Sequence, residues 1–417
     1  MTPTEVGLHA HPRDLPDPQD CALAPTRRVQ SFLDTHRPET PCLVVDLAVV
    51  ARRYHELAAA LPDVDLYYAV KANPAQPVLR LLAGLGCRFD VASPAEIDAC
   101  LAAGIEPWRI SYGNTVKKAG DIARAHELGV ELYTVDCAGE LDKVLAHAPG
   151  SVVTVRLRTD GVGADWPLSK KFGCGPDDAV ELLTRAAEHG STAGLSFHVG
   201  SQQRDLGAWD AALSVVERVA GILDERGVPL GLVNLGGGFP GTYREEIPPV
   251  EAYGDAILSA VRRRLGDRPV RLIAEPGRSL VADAGVLHTE VVLVAERGDE
   301  PDRRWVYLDI GLFGGLAESL GEAIRYRIRT PHDGGPAGRV ALAGPTCDST
   351  DVLYEQTDYR LPLALAAGDR VELLATGAYT TSYASVGFNG FAPLAAHFLP
   401  THPDEAPIAG APVEAVR

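Results

Sequence analysis

The sequence predicts a (β/α)8 barrel followed by an all-β domain, and three observations carry that expectation. Eight short β-branched or aromatic runs alternate with amphipathic helical stretches between Asp65 and Arg278. Several of those stretches end at glycine, at Gly104, Gly129, Gly190 and Gly227, where a helix C-cap needs left-handed backbone. After about Asp283 the texture changes to β-rich segments with few long helical patterns. A doubly wound parallel sheet also accommodates βα alternation, so the strand count alone does not separate the two architectures.

In chain order the strand-like runs are LYYAVKA from Leu66, CRFDVAS from Cys87, RISYG from Arg109 and ELYTVD from Glu131. VVTVRLR from Val152, GLSFHVG from Gly194, LVNLGGG from Leu232 and RLIAEPG from Arg271 complete the eight. Between them lie helical patterns such as PAEIDACLAAG, in which Ile97, Cys100 and Leu101 share one face. The β-rich part contains GVLHTEVVLVAER, RWVYLDIG, RVALAGPTCD and RVELLATGAY, with a Pro/Gly cluster from Pro331 to Gly338 that predicts a hairpin loop. The expected organisation is a flexible leader over 1–28 and a segment, 29–44, packing with the β domain. A barrel over 45–283 and a β domain over 284–417 follow.

Size and charge narrow the function. A chain of 417 residues exceeds what one hydrophobic core normally fills. No apolar run reaches membrane-spanning length, and the N-terminus, with Pro3, Glu5, His9, His11, Pro12 and Asp14, lacks a signal-peptide pattern. A formal charge of -17 argues against a nucleic-acid partner and mildly favours a cationic small molecule. The seven cysteines show no CxxC pair and no zinc spacing, so no metal is expected; their odd number suits a reducing cytoplasm.

Active sites of (β/α)8 barrels sit at the C-terminal ends of the strands. Lys71 ends the first run, Asp90 and Glu96 follow the second, and Arg156 lies on the fifth. His198 and Ser201 close the sixth, Gly236, Gly237 and Gly238 the seventh, and Glu275, Gly277 and Arg278 the eighth. Each has a structural reading on its own: a solvated lysine, a satisfied histidine, a tight glycine turn. Together they match the needs of pyridoxal 5'-phosphate. A lysine amine condenses with its aldehyde, and glycine N–H groups with Arg278 hold a dianionic phosphate. Glu275 suits the pyridine nitrogen, and His198 the ring face.

Seven motifs then occur in a specific order: YYAVKAN around Lys71, FDVAS from Phe89, HVGSQ from His198, GGGFPG from Gly236, EPGR from Glu275, GPTCDSTD from Gly344 and GAYTTSYASVGFNGF from Gly377. This order resembles the fold-type III pyridoxal-phosphate decarboxylases, with their alanine-racemase-like barrel. The group acts on ornithine, lysine, arginine or diaminopimelate, and the ornithine pattern is the nearest. The resemblance covers Pro41 to about Phe398. It implies that Lys71 carries the cofactor as a Schiff base, that Glu275 partners the pyridine nitrogen and that His198 stacks on the ring. Ser201, Gly236, Gly237, Gly238, Gly277, Arg278 and Tyr379 would surround the phosphate, while Asp90, Glu96 and Arg156 order the cofactor's hydrogen bonds.

The same resemblance implies a homodimer with shared sites. Cys347 of one chain would protonate the substrate carbon in the other, Asp348 would hold the distal amine, and Phe388 would pack nearby. The other six cysteines read as buried small hydrophobes. Gly321-Glu322 aligns where a Tyr-Asp pair stands in animal ornithine decarboxylases, which makes Glu322 a second candidate for the distal amine. FGGLAESLGEAIRYRI from Phe313 is closer to the bacterial ornithine/lysine branch. Ornithine is the first expectation and lysine the second, with a modified basic amino acid as a further candidate. Glu275 counts against a racemase, whose pattern has arginine at the pyridine nitrogen. An acid in the CDSTD loop counts against diaminopimelate. Lys71, Glu275, Arg278 and Cys347 count against a non-catalytic regulatory relative.

Overall fold

A computed structural model of the chain describes residues 24–166, 171–297, 302–402 and 405–410. The first strand, β1 (Cys42–Asp46), is followed by β2 (Val64–Ala69), β3 (Arg88–Val91), β4 (Ile110–Tyr112), β5 (Leu132–Val135) and β6 (Val152–Arg156). Then come β7 (Ala164–Trp166), β8 (Thr192–Ser196), β9 (Ser201–Gln203), β10 (Leu230–Asn234) and β11 (Arg271–Ala274). All eight strand-like runs of the first part thus become strands. They pair in parallel as β2-β3-β4-β5-β6-β8-β10-β11 and close when β11 meets β2, through Leu272 on Val64 and Ala274 on Leu66. The doubly wound alternative is thereby excluded. The ribbon of β7 and β9 stands apart, pairing Ala164 with Gln203 and Trp166 with Ser201.

The period of two in β2 shows how sequence makes the layers. Leu66 and Tyr68 join the core beneath the surrounding helices, whereas Tyr67 turns inward to meet Leu132, Leu232 and Ile273. That inner cluster fills the barrel, so the chemistry is confined to the mouth. Gly104, Gly129, Gly190 and Gly227 all have positive φ just past their helices, the conformation for which glycine was expected there.

The remaining strands are β12 (Gly285–Glu296), β13 (Arg303–Leu308), β14 (Ile328–Arg329), β15 (Ala337–Ala343), β16 (Val352–Pro362), β17 (Arg370–Leu374), β18 (Ala395–Leu399) and β19 (Ile408–Gly410). With β1 they form one mixed sheet, β16-β15-β13-β12-β1-β18-β19, in which β17 pairs with both β12 and β14. The cluster from Pro331 is a turn, but not of a hairpin. It joins β14, which pairs with β17, to β15, which lies between β13 and β16. Asp333 closes that turn by accepting from Thr330.

Residues 1–23 of the expected leader lie outside the described residues. Arg27 and Arg28, also expected in the leader, instead begin a helix, Arg27–His36, capped by the Thr26 hydroxyl. Its Val29, Phe32 and Leu33 pack on Cys42, Val44, Val286, Leu374 and Leu399 of the sheet. Among the described residues no helix is long and apolar enough to cross a membrane.

Candidate active site

The strand ends place most of the expected residues around one cleft at the barrel mouth. Lys71, Asp90, His198, Ser201, Gly237, Gly238, Glu275, Gly277, Arg278 and Tyr379 all line it, with Ala69 and Phe239 as apolar wall. Lys71 sits in a single tight turn, Val70–Ala72, directly after β2, and opens to the mouth. The segment after β17 holds this turn: Tyr379 N–H donates to Ala72 O, Ser382 Oγ to Lys71 O, and Asn73 Nδ2 to Gly377 O. Desolvation pulls the Lys71 ammonium down, but Tyr379, Asp90 and Glu275 outweigh it and leave the group above its ordinary value, with Arg156 opposing them.

Beyond β10 the chain turns through Gly236 (φ 69°) and Gly238 (φ 105°). A Cβ on Gly236 would lie 2.0 Å from Phe197 O, and one on Gly238 would lie 2.6 Å from Gly200 O. Gly237 is equally crowded, since its Cβ would meet Glu275 O at 2.8 Å and His198 Nε2 at 3.0 Å. The crowding of this turn is therefore one that glycine alone meets without a shift of its neighbours. Asn234, not singled out in the sequence, organises the turn. Its Oδ1 accepts from Gly236 N–H at 2.9 Å and its Nδ2 donates to Glu275 Oε1 at 2.5 Å. The available signal was a polar residue closing the apolar run LVN.

His198 Nδ1 accepts from Gly200 N–H at 3.0 Å. Burial, then the charges of Arg156 and Lys71, hold the imidazole well below its usual value. The ring is thus neutral at physiological pH, with its proton on Nε2. Arg156 stands over Phe172 at 5.5 Å, and burial lowers its pKa against the pull of Glu275 and Asp136. Gly236, Glu96 and Arg156 are not among the lining residues, though the charges of Glu96 and Arg156 act on Asp90. Glu96 caps its own helix: Ser93 Oγ accepts from Glu96 N–H, and Glu96 Oε2 accepts from Ala92 N–H at 2.6 Å.

Asp90 is the most perturbed carboxyl here. Burial, reinforced by Glu275 and Glu96, raises its pKa well above 3.8 against Lys71 and Arg156, and its Oδ1 has no hydrogen-bond partner. The folded chain therefore holds a proton that the unfolded chain releases near pH 4. Stability from this group is present below that pH and declines as pH rises toward the folded value. Asp90→Asn is expected to raise the thermal stability of the cofactor-free protein at pH 7.5. The gain should shrink toward pH 4, with a slope of up to about 1.4 kcal/mol per pH unit. Equal melting curves for the two proteins across that range would contradict the assignment.

Three expected residues lie on sheet loops outside this cleft. Cys347 is exposed, and its N–H donates to Asn389 Oδ1 at 3.0 Å. Asp348 Oδ1 accepts from the Thr350 N–H and hydroxyl, which keep its pKa below the ordinary value. The Phe388 ring packs 4.6 Å from that of Phe313. Asp351 anchors the loop of Cys347 and Asp348 by accepting from Leu312 N–H and Thr346 Oγ, both at 2.7 Å.

Glu322, the second candidate for the distal amine, does not line the cofactor cleft. Its carboxylate accepts from the N–H groups of Glu355, Gln356 and Thr357 and from the Thr357 hydroxyl. It caps the edge strand β16 and lines a separate cavity with Arg204, Arg244 and Arg325. A left-handed turn at Gly321 and Glu322 (φ 62° and 57°) directs the side chain there.

The cleft suits pyridoxal phosphate. It offers an amine, a carboxylate, a neutral imidazole for stacking, and a glycine cradle bordered by Arg278 and Ser201. Arg278 Nε is buried without a partner, as Asp90 Oδ1 is, so the cleft retains groups that a polar ligand satisfies.

This fit sorts the chain among the pyridoxal-phosphate enzymes built on a barrel and a β domain. It belongs to the pyridoxal-dependent decarboxylases, whose family model for the pyridoxal binding domain matches residues 47–282. Similar relatives include the lysine/ornithine decarboxylase of Selenomonas ruminantium, 35% identical over 85% of this chain and 88% of the relative. The ornithine decarboxylase of Schizosaccharomyces pombe is 35% identical over 84% and 81%. The solved lysine/ornithine decarboxylase of Vibrio vulnificus, complexed with cadaverine, superposes with a TM-score of 0.79 at 32% identity, covering 90% of this chain and 96% of that one. The chain is a pyridoxal-phosphate-dependent carboxy-lyase.

Proposed function

We propose that this enzyme decarboxylates L-ornithine to putrescine and carbon dioxide, in a homodimer whose two chains share each site. The observation that carries the reading is the loop bearing Cys347 and Asp348. It is anchored by Asp351 yet exposed, with an ionised Asp348 carboxylate suited to a distal ammonium group. The relatives named for ornithine and for lysine/ornithine support a basic substrate.

Pyridoxal phosphate, when bound, supplies the electron sink for the pair left by the departing carboxylate. Lys71 would anchor the cofactor, Glu275 (held by Asn234) would partner the ring nitrogen, and neutral His198 would stack without adding charge. Gly237, Gly238, Ser201, Arg278 and Tyr379 would hold the phosphate. Cys347 of the partner chain gives its Sγ proton to the α-carbon after carbon dioxide leaves. The partner's Asp348 pairs with the distal ammonium. A reducing, cytoplasmic setting fits the six described cysteines, all of which are free.

Lysine is the second reading, and the position of Glu322 favours it. With that carboxylate bound to β16, a single acid measures the length of the substrate, and one methylene then changes affinity only modestly. Carbon dioxide and amine release would be followed for ornithine, lysine, arginine and diaminopimelate. The expected order places ornithine first, with lysine within about 10–200-fold in kcat/KM. Turnover of diaminopimelate alone would sink the proposal.

A further inference from the structure

We propose that Glu318 is a positioning residue for the cofactor's phosphate group, acting through Arg278. The inference rests on reading Arg278 as a phosphate ligand. The Arg278 side chain is 3% exposed and that of Glu318 10%, so this is a buried ion pair. Glu318 grips both terminal nitrogens, Oε2 on Nη1 at 2.6 Å and Oε1 on Nη2 at 2.5 Å. Tyr243 OH accepts from Nη1 at 2.8 Å, and Ser201 Oγ accepts from Nη2 at 3.0 Å. The Tyr379 ring lies 4.9 Å from the guanidinium carbon.

A guanidinium has five N–H donors, and this arrangement occupies four of them. The fifth, on Nε, is buried without a partner in a residue that lines the cofactor cleft. The two-pronged grip common between arginine and phosphate is therefore taken by Glu318. Recognition of the phosphate falls instead to Nε–H and to Ser201, whose oxygen accepts from Arg278 and whose own proton is free to be donated. Glu318 also keeps a buried guanidinium compensated before the anion arrives, so less has to be ordered on binding. Its charge repels a dianion at the same time, and the proposal is that orientation outweighs repulsion.

The test compares two probes titrated into the cofactor-free full chain: pyridoxal phosphate, and pyridoxal, which has the ring and aldehyde but no phosphate. Glu318→Gln is expected to weaken pyridoxal phosphate about tenfold, the scale of one hydrogen bond to a charged group, and to leave pyridoxal within about twofold. Glu318→Asp keeps the charge but shortens the arm, so the same selective loss is expected, and it decides the matter if the first variant does not fold. Equal weakening of both probes, unchanged affinity, or tighter binding of pyridoxal phosphate would overturn the proposal. Arg278→Lys separates the two layers. If it fails to weaken pyridoxal phosphate selectively, the phosphate reading of Arg278 falls. If it weakens it selectively while the Glu318 variants do not, only the role of Glu318 falls.

Discussion

Lys71→Ala is expected to lower kcat by a factor on the order of 10^4 or more, the scale for removing a residue that bonds covalently during turnover. The purified variant should also lose the visible absorbance of lysine-bound cofactor. Both effects follow from one geometry. The Lys71 amine opens into a cleft whose other walls include carboxyl, imidazole and glycine backbone, and among the described residues no second lysine lines it. The fold should survive, because the turn carrying Lys71 is held through main-chain carbonyls of residues 71 and 72 that alanine retains. Turnover within tenfold of wild type would refute the role. A wild-type protein that shows no such band after added pyridoxal phosphate would instead point to a non-catalytic relative.

The second large effect concerns assembly. Lys71→Ala and Cys347→Ala should each be inactive alone, yet an equal mixture after subunit exchange should regain about a quarter of wild-type activity. Random pairing makes half of the dimers mixed, and each mixed dimer has one site built from two intact contributions. The prediction follows from the distribution of groups in a single chain: cofactor residues line the cleft, whereas Cys347 is exposed on a loop that does not line it. Proven exchange without recovery would show that the two residues serve the same chain or that Cys347 is not used.

The barrel was legible because its signals are local. Alternation over five or six residues and a glycine after several of the helices mark strand and helix without knowledge of the partner. The glycine turn at 236–238 was legible for the same reason. What escaped were partnerships set by packing. Glu318 lies 40 residues from Arg278, and Asn234 lies 41 from Glu275, so no local pattern announces either pair. Glu322 marks the same limit. Its side-chain direction depends on a left-handed turn and on three N–H groups of β16 that an alignment does not contain. The expected hairpin at 331–338 failed because the turn residues were right while the pairing of the flanking strands was decided elsewhere in the sheet.

The place of β1 has a consequence for how the protein is made. All five of its residues are buried, and both of its neighbours, β12 and β18, come from the far side of the barrel in the chain. At translation rates of roughly 5–20 residues per second, this apolar strand waits unpaired for tens of seconds while the whole barrel leaves the ribosome. The barrel must be complete, or nearly so, before the sheet can begin. A nascent chain that stalls short of Gly285 therefore presents an unpaired strand edge, the kind of surface that chaperones bind and aggregates grow from.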